Sequence, residues 1–95
     1  MIVDINEQLT IKCLYKQPGA SQTKPVPLAD FKAETDLDDI FFLKTLRSIE
    51  QKELVTIGFL QRGFIVKVKN WYEKYPDVQD FHIKLTKSGI KVCNN

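Results

Sequence analysis

Residues 59–75, FLQRGFIVKVKNWYEKY, place the strongest constraint on the fold. Ile57, Leu60 and Phe64 recur at three- and four-residue spacing, which gathers them on one side of a helix. Gly63 inside a helix costs ~1 kcal/mol relative to Ala, and the β-branched pair Ile65 and Val66 stiffens the next step. One rod from Thr56 to Tyr75 is therefore disfavoured. The pattern predicts a helix over 56–63, a break, and a second helix over 67–75 ended by Pro76. On the second helix Val68, Trp71, Tyr72 and Tyr75 form the apolar face, and Lys67, Lys69, Asn70, Glu73 and Lys74 point elsewhere.

The flanking segments give the rest of the organisation. Leu9, Ile11, Cys13 and Tyr15 alternate with Thr10, Lys12 and Leu14, the period of a strand, with Ile2–Ile5 as a candidate partner. QPGASQTKPVP, residues 17–27, reads as a surface loop because its glycine and prolines sustain neither regular structure. Thr35 then signals a helix over 36–51: its hydroxyl is placed to cap, Asp38 sits at the reciprocal position, and Asp36 and Asp39 suit the positive end of the dipole. Leu37, Ile40, Phe41, Phe42, Leu43, Leu46 and Ile49 supply its apolar stripe, with Lys44, Arg47 and Lys52 toward the end that favours cations. That capping role accounts for the acidic run DLDD without a metal or a carboxylate pair. Glu53–Val55 is a short extended candidate, and Phe81, Ile83 and Leu85 begin a hairpin over 80–93 that turns at Lys87–Gly89.

Composition narrows the function classes. A chain of 95 residues with 43% hydrophobic and 27% charged side chains suits one domain that buries a core without metal or disulfide staples. Cys13 and Cys93 lack paired spacing and His82 is the sole histidine, so no metal or cofactor is expected, and two reduced thiols are read ahead of a disulfide. No apolar run reaches the ~20 residues of a membrane span, and MIVDINEQLT lacks the pattern of a signal peptide, so a cytoplasmic location is the expectation. There is no phosphate-binding glycine loop and no nucleophile elbow, and an enzyme is not expected. The formal net charge of +2 hides an asymmetry: residues 1–50 carry six Lys/Arg against eight Asp/Glu, residues 51–95 eight against four.

The order helix, short strand, helix, tight turn, helix, hairpin is that of a winged helix-turn-helix. LQRGFIV at 60–66 resembles the LQR-x-F-x-V stretch of winged-helix domains such as the DNA-reading gamma domain of bacterial chromosome translocases. LTKSGIKV at 85–92 is similar to the wing ending of many winged-helix regulators. The resemblance implies an α+β fold with a winged helix-turn-helix-like three-helix core and a C-terminal β-hairpin over 36–93, preceded by a strand and loop extension over 1–35. It implies double-stranded DNA as partner and a role in transcription regulation. Lys67 and Asn70 would then contact bases, Arg62, Lys69 and Lys74 phosphates, and Lys84, Lys87 and Lys91 the backbone from the hairpin. Trp71 and Tyr72 stand where the translocase pattern has small and arginine residues, and such bulk suits packing or a protein interface. Two alternatives stay open: a non-enzymatic protein-interaction module on the same scaffold, and an ordinary solvated surface for the lysines. A homodimer through the amino-terminal strand or helix 36–51 is the accompanying expectation.

Overall fold

Asp4 starts the first helix. Its carboxylate accepts from the Glu7 backbone N–H at 2.8 Å while the Glu7 side chain accepts from the Asp4 N–H at 3.2 Å, a capping box that sets α1 over Ile5–Tyr15. The strand expected over 9–15 is therefore a helix. Its apparent alternation is misleading because Leu9 is 59% exposed, whereas Glu7, Thr10, Ile11 and Leu14 are buried at helical spacing. The computed structural model describes residues 3–75 and 80–94. Ile2 of the expected partner strand and the helix-ending Pro76 lie outside the described residues.

The expected loop over 17–27 contains one turn of 3-10 helix at Ala20–Gln22 and a two-residue strand, β1, at Val26–Pro27. It leads into α2, Leu28–Thr35, which sends Leu28 and Phe31 into the core. Forward, the Thr35 hydroxyl accepts from the Leu37 N–H at 3.5 Å rather than from Asp38 three residues on. It donates back to the Lys32 carbonyl at 2.8 Å, and Asp36 at φ 55° leaves the helical region. Asp38 is the cap instead, accepting from the Phe41 N–H at 2.8 Å, so the expected helix 36–51 begins at Asp39 as α3, Asp39–Gln51.

Residues 56–67 depart furthest from expectation. They form two antiparallel strands, β2 at Val55–Gln61 and β3 at Phe64–Lys67, in place of the first helix and the start of the second. Arg62 and Gly63 make the two-residue connection with φ of 52° and 85°, the doubly left-handed geometry that matches strand twist. The chain does reverse at Gly63, but between strands. Only Trp71–Lys74 of the second expected helix is helical, as the single turn α4. Phe81–Leu85 is a strand as expected, β4, but no return strand follows it. Thr86 accepts from the Gly89 N–H at 3.1 Å and opens α5, Lys87–Cys93.

The fold is α+β, with an antiparallel sheet in the order β1–β4–β2–β3. Register puts Val55, Ile57 and Phe59 beside Leu85, Ile83 and Phe81 on one face, and these side chains meet α1, α2, α3 and α4 in one apolar cluster. Ile11, Leu14, Val26, Leu28 and Phe31 belong to that cluster, so the segment read as an extension contributes to the core from Ile11 onward. At Gly58 a Cβ would run into the Val66 carbonyl and the Lys67 Cα, which is how closely β3 crosses β2.

Candidate nucleic-acid interface

α3 buries Phe42, Thr45, Leu46 and Ile49 and so must turn its opposite side outward. Ile40, Lys44, Arg47 and Gln51 follow one another at four, three and four residues along that outer side. With Leu43, Ser48 and Tyr72 of α4 they line an open groove of about 560 Å³. The Arg47 guanidinium lies 3.8 Å from the centroid of the Tyr72 ring. α4 is held in place by Trp71, fully buried, whose indole N–H donates to Glu50 Oε1 at 3.0 Å. Burial pushes the Glu50 carboxyl up from its ordinary value, opposed by that indole bond and by the charge of Lys67.

The base of the groove is fixed by a second polar joint. Glu7 of α1 is buried and accepts from the Ser48 hydroxyl at 2.8 Å and from Lys52 Nζ at 2.6 Å. Burial works against its ionisation, but Lys52, Ser48 and the Asp4 N–H outweigh it and hold Glu7 below the usual carboxylate range. The start of α3 is acidic: Asp38 is committed to the cap and Asp39 lies 3.5 Å from Lys32. The cations of the outer side of α3, Lys44 and Arg47, thus lie beyond its acidic start, toward the middle and end of the helix.

Of the residues singled out from sequence, Arg62 occupies the hairpin turn, Lys67 ends β3, and Lys69 and Asn70 lie between β3 and α4, Asn70 at the helix's N-cap position without a side-chain cap bond. All four are exposed, as is Lys74 at the end of α4. Lys67 and Lys69 come together with Val68, Glu50, Gln51 and Glu53 around a groove of about 360 Å³. Gln51 lines this groove and the first, so the two share a border along α3. Lys84 is half-buried in β4, and Lys87 and Lys91 are exposed on α5 rather than on a hairpin. No helix over 67–75 presents Lys67, Lys69 and Asn70 as one face, because β-branched Ile65 and Val66 continue the ladder to Lys67.

Sequence reasoning passes over Lys44, Arg47, Ser48 and Gln51. Their signal is the exposed stripe opposite the apolar one, but Lys44 and Arg47 are read there only as partners of the helix dipole. Among the described residues no group of three metal-binding side chains occurs, and no helix is long and apolar enough to cross a membrane. Cys13 and Cys93 are free thiols, both raised by burial. The chain matches no family model, curated protein or solved structure at a significant level.

Proposed function

We propose that the protein is a double-stranded DNA-binding domain of winged-helix type, acting as a small transcriptional regulator, with α3 rather than residues 67–75 as the groove-reading helix. The order α1, β1, α2, a three-residue connection, α3 and then the β2–β3 hairpin repeats the order that the sequence resemblance implies, one helix earlier in the chain. Within it β1, β4 and β2 are adjacent strands, and β3 with α4 elaborates the link from β2 to β4. The observation that carries the reading is the outward stripe Lys44, Arg47 and Gln51 on a helix whose other side is locked into the core. A helix so supported fits a major groove about 12 Å wide, where Arg reads guanine and Gln reads adenine. On this reading Arg62, Lys67 and Lys69 would contact the DNA backbone from the hairpin side.

The test is fluorescence anisotropy on a random-sequence duplex. Binding is expected at about 50 mM salt and should fall steeply as salt rises, with each lost phosphate contact lowering the log–log slope by about 0.9. Arg47→Ala should weaken binding about 5- to 150-fold, the range of a lost base-reading arginine. No binding at low salt would defeat the proposal.

A second reading, a protein-interaction module, has its own support. Ile5 and Leu9 lie exposed one turn apart on α1, and Leu9 shares a small groove with Leu37 and Phe41. A partner protein or a second copy of the chain on that surface would register in sedimentation, and Leu9→Asp would abolish it; a monomer at all concentrations with no recovered partner speaks against this reading.

A further inference from the structure

We propose that Tyr72 is a positioning residue for Arg47, holding its guanidinium flat so that the N–H edge meets the duplex in a fixed direction; this rests on the DNA-binding reading above. A free arginine side chain samples many rotamers, and a contact that must first select one of them loses affinity to ordering. Arg47 is exposed, and among the described residues the ion pairs are Lys32–Asp39 and Lys52–Glu7, neither of which involves it. What orders it is the ring. At 3.8 Å from the Tyr72 centroid the guanidinium carbon lies over the aromatic face, a separation that suits stacking of the two planes, in which the in-plane donors stay on the perimeter for the duplex.

Tyr72 is in turn a fixed platform. Its neighbour Trp71 is fully buried, meets the Tyr72 ring edge-on at 6.0 Å between centroids, and donates its indole N–H to Glu50. Glu50 stands three residues after Arg47 on the same helix. The chain of contacts Arg47, Tyr72, Trp71, Glu50 thus leaves α3 and returns to it, and α4 is registered against the helix whose arginine it steadies. Bulky Trp71 and Tyr72, which fit poorly with α4 as a groove reader, acquire a role as the clamp beside one.

The experiment is a double-mutant cycle in the full chain, read by anisotropy on the same duplex, with the Arg47 Nε–Hε resonance of the free protein as an independent readout. Y72L should lower affinity about 3- to 30-fold, the range of a partly desolvated cation–π contact, and Y72F should stay within about twofold. Adding Y72L to R47A should cost nothing further, since Tyr72 acts only through Arg47. The Nε–Hε resonance should be shifted upfield by the ring in the wild type and Y72F and return to its free position in Y72L. Y72M is the substitute if Y72L loses its cooperative melt. Additive effects of R47A and Y72L, or an Arg47 resonance with no ring shift, overturn the clamp while leaving DNA binding intact. A ring-shifted Arg47 in a protein that binds no duplex overturns the DNA reading, and the clamp's purpose with it.

Discussion

The two halves of the proposed interface are held by opposite means. α3 is placed by side chains: Phe42, Leu46 and Ile49 fill the core, and Ser48 and Lys52 tie to the buried Glu7. β3, the outer strand of the hairpin, is placed by main chain, through its ladder bonds to β2, a left-handed two-residue turn and the close approach at Gly58, while its Phe64 and Val66 remain 73% and 46% exposed. A region fixed by packing is broken by removing atoms, and a region fixed by backbone approach is broken by adding them.

Three measurements sharpen that contrast. Gly58→Ala should have the largest effect, because the new methyl meets backbone of β3 that has no rotamer to yield; overpacking costs typically about 1–3 kcal/mol, and the upper end is expected in a thermal melt. A change under about 0.5 kcal/mol would mean the crossing relaxes freely. Lys52→Met comes next, at about 1–2 kcal/mol, less than for a wholly buried pair because Lys52 stays 30% accessible. Since Glu7 is held below its unfolded value, its stabilisation is fully present above the ordinary glutamate range and is lost as pH falls through the lower folded value. Denaturant midpoints between pH 7 and 3 should show that acid limb in the wild type and a flattened one in Lys52→Met. Gly63→Ala should be smallest, about 1 kcal/mol or slightly more, since φ 85° strains the backbone although the methyl would project into open space. An unchanged melt for this variant would show that the turn has moved to another geometry.

The same contrast explains what the sequence reveals. α3 is legible because a helix fixed by packing writes its apolar stripe and its acidic start into the residues, although Ile40 and Phe41, read as part of that stripe, are 82% and 37% exposed and the cap is Asp38 rather than Thr35. β4 is legible for the same reason, through Phe81, Ile83 and Leu85. The hairpin is not. Ile57, Leu60 and Phe64 fit helical spacing by coincidence, since the last two point outward and no core selects their positions. The stronger signal there is chemical, the β-branched residues of 55–57 and 65–66 on either side of Arg62–Gly63. α1 is misread because its exposed Leu9 mimics a buried strand residue. The exposed cations of the hairpin side are recognisable in sequence, whereas the groove of α3 needs Tyr72, twenty-five positions after Arg47, and no local pattern joins them.

The sheet order has a consequence for how the chain assembles. β4, which follows the other described strands in sequence, pairs with Val26–Pro27 on one side and with Val55–Phe59 on the other. During synthesis from the amino end, β1 has no neighbour and β2 bares one edge until Phe81–Leu85 leaves the ribosome. Locally bonded helices and the β2–β3 pair can form earlier, so sheet closure is a late, long-range event, and the nascent chain passes through an interval in which open strand edges invite wrong partners.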